Sequence, residues 1–326
     1  MEEFKKEQAK AMYKIPIIAV VGPTASGKSA LAIEIAKIYD AEIVSCDSMQ
    51  IYKGMDIATA KPSFDEMQGI PHHLISAIDR DFDFSVAMYK ELASKAIENI
   101  TSRGKKAVLV GGTGLYAQAL IDNVEFLQVP KNEEIRESLL KRAEKEGIEN
   151  LLLELESIDE ETAKNLHPNN KKRIIRALEI YYTSGQTMSE QVKKSRDNPS
   201  PYNACIIGLD FRDRQKLYDR INFRVDEMLE NGLLDETKEY LNQSHKTTAN
   251  QAIGCKEMSQ YLNGQSTLQQ ATEKLKMETR RYAKRQLTWF RKDERVNWIF
   301  ADEHQSLQQV IKRACEIIDD SQVFGG

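Results

Sequence analysis

Gly22-Pro23-Thr24-Ala25-Ser26-Gly27-Lys28-Ser29 decides the fold class of this chain. The octet has the form G-x-x-x-x-G-K-[ST] and stands between an apolar run, Ile15–Val21, and a helical pattern over 30–39. Strand, glycine-rich turn and helix in that order let backbone N–H groups close round phosphate oxygens. The positive end of the helix dipole lies behind them. Lys28 is expected to reach the terminal phosphate as a point charge and Ser29 to hold Mg²⁺. A di- or triphosphate substrate follows from the octet; its identity does not.

Working outward, strand-like runs at 15–21, 41–46, 106–110 and 205–209 alternate with helical patterns. That alternation predicts an α/β fold, a P-loop NTPase-like parallel sheet flanked by helices. The pattern changes over 128–198, where leucine- and glutamate-rich helical stretches run without a strand. Pro130 precedes the block and Asn198-Pro199-Ser200-Pro201 closes it. We expect a helical insertion domain at 128–198 inside a discontinuous catalytic core, 13–127 and 199–317. From Arg212 onward the chain reads as mostly helical, with one late apolar run, Val296–Phe300.

The chain has 326 residues and is 41% hydrophobic, enough to fill a core without covalent staples. Cys46, Cys205, Cys255 and Cys315 are scattered with no C-x-x-C pair, which argues against a zinc site or disulfide framework. The opening Met-Glu-Glu-Phe-Lys-Lys-Glu lacks the apolar core of a signal peptide, and no run of about 18 apolar residues exists. A cytoplasmic protein without membrane contact is expected. The net charge of −4 conceals an asymmetry. The stretch 131–161 has 11 acidic and 5 basic residues, whereas 276–292 has 7 basic and 1 acidic.

Asp47 follows the second strand, and ligands of parallel sheets bind beyond the carboxyl ends of strands. It is either a turn residue or a group at the mouth of the phosphate loop. The strand at 106–110 ends in Gly111-Gly112-Thr113-Gly114, with no acid where a nucleotide-hydrolysing P-loop protein carries one for its metal. Asp47 therefore serves the metal or does other chemistry. Thr113 is either a helix N-cap or a hydroxyl donor to substrate. At 100° per residue Arg281, Lys284, Arg285, Thr288, Arg291 and Lys292 share one helical face, while Tyr282, Gln286 and Trp289 fall opposite. A face of one sign over three turns suits phosphodiesters. Arg173 and Arg176 share another face; Arg220 and Arg224 have nearby aspartates as possible partners. His72 and His73, adjacent and pointing apart, read as structural. On these residues alone a transferase, a P-loop nucleoside or nucleotide kinase, and an RNA-binding P-loop ATPase all remain open.

Several longer motifs occur along the chain: Asp-Ser-Met-Gln-Ile-Tyr-Lys-Gly-Met-Asp-Ile-Ala-Thr-Ala-Lys-Pro (47–62), Pro-His-His-Leu (71–74) and Val-Gly-Gly-Thr-Gly-Leu-Tyr (110–116). His-Pro-Asn-Asn-Lys-Lys-Arg-Ile-Ile-Arg-Ala-Leu-Glu (167–179) and Ala-Lys-Arg-Gln-Leu-Thr-Trp-Phe-Arg (283–291) follow. With the octet they span most of the chain, and together they resemble the tRNA dimethylallyltransferases, or tRNA isopentenyltransferases. Without the cysteines of the zinc finger that eukaryotic members can carry, the resemblance is to the bacterial type.

The resemblance implies transfer of a dimethylallyl group from dimethylallyl diphosphate to the exocyclic N6 amine of the adenosine 3′-adjacent to the anticodon in tRNA, by a monomer using Mg²⁺. It implies that residues 22–29 (Gly22, Pro23, Thr24, Ala25, Ser26, Gly27, Lys28, Ser29) cradle the departing diphosphate, with Arg224 beside them. Asp47 would be the general base, and Thr113 would contact the reacting adenosine. Asp47, Ser48, Met49 and Gln50 would touch the target nucleotide. Lys172, Arg173, Ile174, Ile175, Arg176, Gln251 and Lys256 would hold tRNA. So would Arg281, Lys284, Arg285, Gln286, Thr288 and Arg291, with Arg136 reaching from the insertion.

Overall fold

In a computed structural model, residues 14–125, 129, 132–196, 198–241 and 252–325 are described. They form two compact units. One takes the described residues up to Ile121 and from Pro201 onward; the other takes those of Asp122–Ser200. Gln251 lies outside the described residues.

The first unit is built on six parallel strands, β1 (Ile15–Val21), β2 (Ala41–Ser45), β3 (His72–His73), β4 (Lys106–Gly111), β5 (Tyr202–Asp210) and β6 (Val296–Phe300). Their order across the sheet is β3-β2-β4-β1-β5-β6. The central strand β1 is registered on both sides, with Val20 opposite Val110 of β4 and Ile207 of β5. Strands buried on both faces need apolar side chains on both faces, and β1 supplies them without alternation: Ile17, Ile18, Ala19, Val20 and Val21 are all fully buried. Ile17, Ala19 and Val21 pack into one core with the helix Val86–Ser102, and Ile18 and Val20 into another with the helices Lys28–Ile38 and Leu307–Asp320. The order reverses between β4 and β1, so the carboxyl ends of both strands and the loop after β1 open at that switch point.

β3 is the strand that periodicity cannot reveal, since two residues carry no period. Its evidence is a side-chain contact. His73 Nε2 lies 2.7 Å from Oε2 of Glu42 on β2, and Arg103 donates to both oxygens of Glu42 at 2.6 and 2.8 Å. His72 and His73 are thus structural, as their spacing suggested. The Arg103 and His73 contacts hold the buried Glu42 carboxyl down at about 2, against the opposing effect of burial.

The second unit is helical: Glu133–Lys145, Ile148–Ile158, Glu160–Lys164, Lys171–Ser184 and Met188–Arg196. Leu139, Leu151, Leu155, Ile174, Ile175 and Leu178 make its core. Asn132 and Asp159 cap two of its helices through their side chains.

Glu42 carries a pH dependence whose sign is fixed. A carboxyl held below its ordinary value of 4.5 contributes stability at neutral pH; the contribution fades below about 4.5 and is lost as pH falls through about 2. Glu42→Gln is expected to cost about 1–3 kcal/mol at pH 7 and to flatten the acid limb of the stability curve. Urea unfolding at a series of pH values checks this; an unchanged acid limb would show that Glu42 does not carry it.

Candidate active site

The phosphate loop follows β1 and leads into the helix Lys28–Ile38. Gly22 has φ +148°, and a Cβ there would collide with the Leu209 carbonyl oxygen at the end of β5. A side chain is excluded both by the backbone angle and by the close approach of the next strand. Besides its own Ser26 N–H to Pro23 O bond at 3.3 Å, the loop is held by other parts of the chain. Arg220 Nε donates to Ala25 O at 2.8 Å, Lys28 Nζ donates to Pro23 O at 3.2 Å, and the Thr24 N–H donates to Gln286 Oε1 at 2.9 Å. The Ser26 hydroxyl is buried in this loop with no partner among the described residues.

Beside the loop is a cavity of about 260 Å³. Thr24, Lys28, Ser29 and Arg224 line its phosphate side, and Asp47 is the only acid among the described lining residues. Burial and the neighbouring Arg224 charge pull the Lys28 ammonium down to about 8. Burial lowers Arg224 as well; its guanidinium donates to Ala60 O at 3.3 Å and reaches Thr24 Oγ1 at 3.5 Å. Lys28 and Arg224 repel each other, Arg285 lines the same cavity, and the three together invite an anion.

Asp47 follows β2 as an Asx turn: its Oδ1 accepts from the Met49 and Gln50 N–H groups at 2.9 and 3.3 Å. Asp47 is thus a turn residue that also lines the cavity beside the phosphate loop. Oδ1 holds the turn, and Oδ2 takes no hydrogen bond from the described residues. Thr113 sits across from it. Its Oγ1 accepts from the Ser48 N–H at 3.0 Å and donates to Ser48 Oγ at 3.2 Å, joining the ends of β2 and β4. Gln50 lines the cavity too, its Nε2 donating to Thr59 O and Ala60 O, also lining residues, at 3.2 and 3.1 Å.

The long helix Leu268–Phe290 forms the facing wall. Leu275, Thr279, Tyr282 and Gln286 lie along one stripe and all line the cavity. Gln286 corrects an expectation. It is 5% exposed, and besides accepting from Thr24 its Nε2 donates to Gly112 O at 2.9 Å. Its amide is consumed in tying the phosphate loop to the β4 turn and is not available to tRNA. A Cβ on Gly112 would run into that amide, which is why the position is glycine. Tyr282 was missed. It lies by Asp47 and Thr113, where burial, with the Asp47 charge, pushes its hydroxyl well above the ordinary range. Helical periodicity placed it opposite the cations, yet Arg285 lies beside it and lines the same cavity, which periodicity gave no sign of.

The cationic face is narrower than the sequence count. Arg281 pairs with Glu278 at 2.7 Å, Arg291 with the fully buried Asp210 at 2.9 Å, and Thr288 Oγ1 donates to its own helix at Lys284 O. Lys284, Arg285 and Lys292 have no acidic partner among the described residues, and Arg285 lies over the Tyr282 ring. Lys256 is exposed on the helix Cys255–Leu262, and the residues beside it, Ala252 and Ile253, line the cavity. In the helical unit, Ile174 and Ile175 are buried core residues, a correction to their expected contact with tRNA. Arg176 and Arg136 both lie on the fully buried Glu179, at 3.0 and 3.6 Å, so their charge is committed there. Lys172 and Arg173 are exposed.

Comparison with known proteins gives this arrangement a family. Residues 50–293 match the model of the IPP transferase family. The chain belongs to the IPP transferase family. It is 47% identical over 302 residues to a tRNA dimethylallyltransferase of Thermoanaerobacter sp., covering 91% of this chain and 96% of that one. It is 49% identical over 286 residues to one of Bacillus subtilis, covering 87% and 90%. Among solved structures, the full-length tRNA isopentenylpyrophosphate transferase of Bacillus halodurans matches with TM-score 0.71 at 42% identity, over 94% of this chain and 97% of that one. A eukaryotic dimethylallyltransferase acting on tRNA matches with TM-score 0.76 at 29% identity, over 94% and 80%. The P-loop NTPase-like sheet read from the octet is the fold of this IPP transferase family member.

Gln286→Ala leaves the Thr24 N–H and the Gly112 carbonyl unpaired in a dry place. A loss of about 1–3 kcal/mol is expected. Because the loop loosens, the Kd for inorganic diphosphate should rise in parallel. Calorimetric titration together with urea unfolding tests the coupling; destabilisation with unaltered diphosphate binding would refute it.

Proposed function

We propose that this protein transfers a dimethylallyl group from dimethylallyl diphosphate to the N6 amine of the adenosine 3′-adjacent to the anticodon in tRNA. The observation that carries the reading is one small cavity with Lys28, Arg224 and the phosphate loop on one side and a single carboxylate, Asp47, on the other.

An adenine N6 amine is a weak nucleophile, since its lone pair is shared with the ring. N6 attacks C1 of the allyl group; the C1–O bond breaks with its electron pair leaving on the diphosphate, and the N6 proton passes to Asp47. General-base help of this kind is worth roughly 10²–10⁴-fold. Lys28, Arg224 and the loop N–H groups meet the charge that develops on the leaving oxygen. Asp47 Oδ1 is fixed by the Asx turn, so Oδ2 is the oxygen left to take the proton. The Thr113 hydroxyl, already bonded to Ser48, positions the adenine edge. An adenine can enter only when unstacked, which costs least in an anticodon loop.

Ser29 fits Mg²⁺ by its donor chemistry. An exposed hydroxyl at the cavity edge can ligate an ion that takes its other oxygens from the diphosphate and water, so no carboxylate cage is required. When bound there, the ion would neutralise diphosphate charge. Lys284, Arg285 and Lys292 on one unit and Lys172 and Arg173 on the other are the cations we assign to the tRNA backbone.

Purified protein, Mg²⁺ and unmodified bacterial tRNA, incubated with dimethylallyl diphosphate or in parallel with ATP, should yield an adenosine heavier by one dimethylallyl group only with the prenyl donor. ATP turnover without it would favour a kinase or ATPase. Asp47→Asn keeps the turn acceptor and removes the base, so kcat should fall about 10²–10⁴-fold with tRNA affinity within a few-fold of the parent. Equal loss of both would refute the base assignment.

Lys28 gives a separate readout. At a pH of about 8.5 most of it is neutral in the free protein, and a bound diphosphate favours the ammonium. Diphosphate binding should therefore take up a proton there and weaken as pH rises further. Calorimetry in buffers of different ionisation enthalpy detects the uptake, and Lys28→Arg should abolish it.

A further inference from the structure

The helices Arg214–Glu230 and Leu268–Phe290 wall the cavity together, and their register sorts it into levels. Lys276 pairs with Asp226 at 2.8 Å, and Arg280 Nη1 donates to Asn222 Oδ1 at 2.6 Å. As one number rises the other falls, so the helices run antiparallel. Met228 then stands level with Leu275, and Arg224 with Thr279. All four line the cavity. Arg220, a turn further toward the loop, holds Ala25 O. One helix thus grips the phosphate loop with Arg220, meets the anion with Arg224 and turns apolar at Met228.

The apolar level is backed by packed side chains behind Leu275, while Met228 stands between this cavity and a second one lined also by Ile57, Phe64 and Asn231. Leu275 belongs to a buried cluster with Val225, Leu233, Met258 and Ala271, against which Met228, Ala58 and Ile253 pack. Four residues of helix advance about 6 Å. A dimethylallyl chain extends roughly 5 Å beyond its ester oxygen, from C–C bonds of about 1.5 Å. A second five-carbon unit would need as much again, past the Met228 side chain or into the cluster behind Leu275.

We propose that Met228 and Leu275 set the length of the prenyl group, admitting five carbons and refusing ten. This rests on the transferase reading above and names a specificity determinant within it. The transfer step is the same for either donor: C1–O breaks to the diphosphate, N6–C1 forms and Asp47 takes the proton. Only the fit of the tail differs. A single methylene in an apolar pocket is worth about 10–200-fold in kcat/KM, so removing the stop should be plainly visible.

The test measures kcat/KM for dimethylallyl and geranyl diphosphates on unmodified tRNA, with product nucleosides weighed. The wild type should use the first and not measurably the second. In Met228→Ala, and more so in Met228→Ala with Leu275→Ala, the geranyl-to-dimethylallyl ratio should rise at least about tenfold. Met228 is only half-buried, so its single variant keeps the test alive if the double variant does not fold. A wild type that transfers the five-carbon group, with variants whose ratio is unchanged, overturns this inference alone. A wild type that transfers neither group overturns the transferase reading and this one with it.

Discussion

The amide of Gln286 is the joint on which the site depends. A phosphate loop that binds an anion keeps several of its N–H groups free of backbone bonds, so it needs support from elsewhere. Gln286 holds it from outside, accepting from Thr24 and donating to Gly112. Both ends of a buried amide must be satisfied, and here each end satisfies a different strand's loop. The long helix therefore cannot slide without moving the phosphate loop after β1 or the turn after β4. Arg220, from a second helix, repeats the constraint at Ala25. The loop is preorganised by two helices packed on each other, and the same two helices shape the rest of the cavity.

Charge in this molecule is divided by burial. Asp210 and Glu179 are fully buried, and each draws two arginines to itself: Arg214 and Arg291 in one unit, Arg136 and Arg176 in the other. Such arginines look like nucleic-acid ligands in a sequence and act as struts in the fold. A buried carboxylate without its cations would carry a large desolvation cost, so these arginines are not free to be lent elsewhere. Among the residues expected to meet tRNA, Lys284 and Arg285 on the long helix, Lys172 and Arg173 on another helix, and Lys256 have no acidic partner among the described residues.

The division also explains what could be read from the residues. β1, β2, β4 and the three longest insertion helices were legible because burial on both faces or on one stripe leaves a period in the chain. β3 was not, since a two-residue strand is specified by Glu42 and Arg103, far away in sequence. Asp47, Thr113 and the octet were legible because strand ends in parallel sheets have a known use. Gln286, Tyr282 and the two isoleucines at 174 and 175 were misplaced or missed for one reason. A motif reports that residues belong together, and a helical wheel reports which face they share, but neither reports what stands opposite. Gln286 reaches Gly112 and Thr24 across more than 170 residues of chain.

The missing acid after β4 follows from the same packing. P-loop proteins that cleave nucleotides carry an aspartate on a second strand to serve the metal. Here β4 ends at Gly111, where a Cβ would strike the Cys46 carbonyl, and Gly112, where it would strike the Gln286 amide. No side chain fits at either position while β2 and the long helix stay where they are. The acid therefore comes from the end of β2, where one oxygen holds the Asx turn and the residue lines the same cavity as the loop. A carboxylate there shares the cavity with Lys28 and Arg224, and its charge acts on both. In the reading proposed above, it takes a proton from one reactant while the loop draws charge onto the other. The glycines after β4 and the displaced acid are then one adaptation, by which a phosphate loop serves a leaving group.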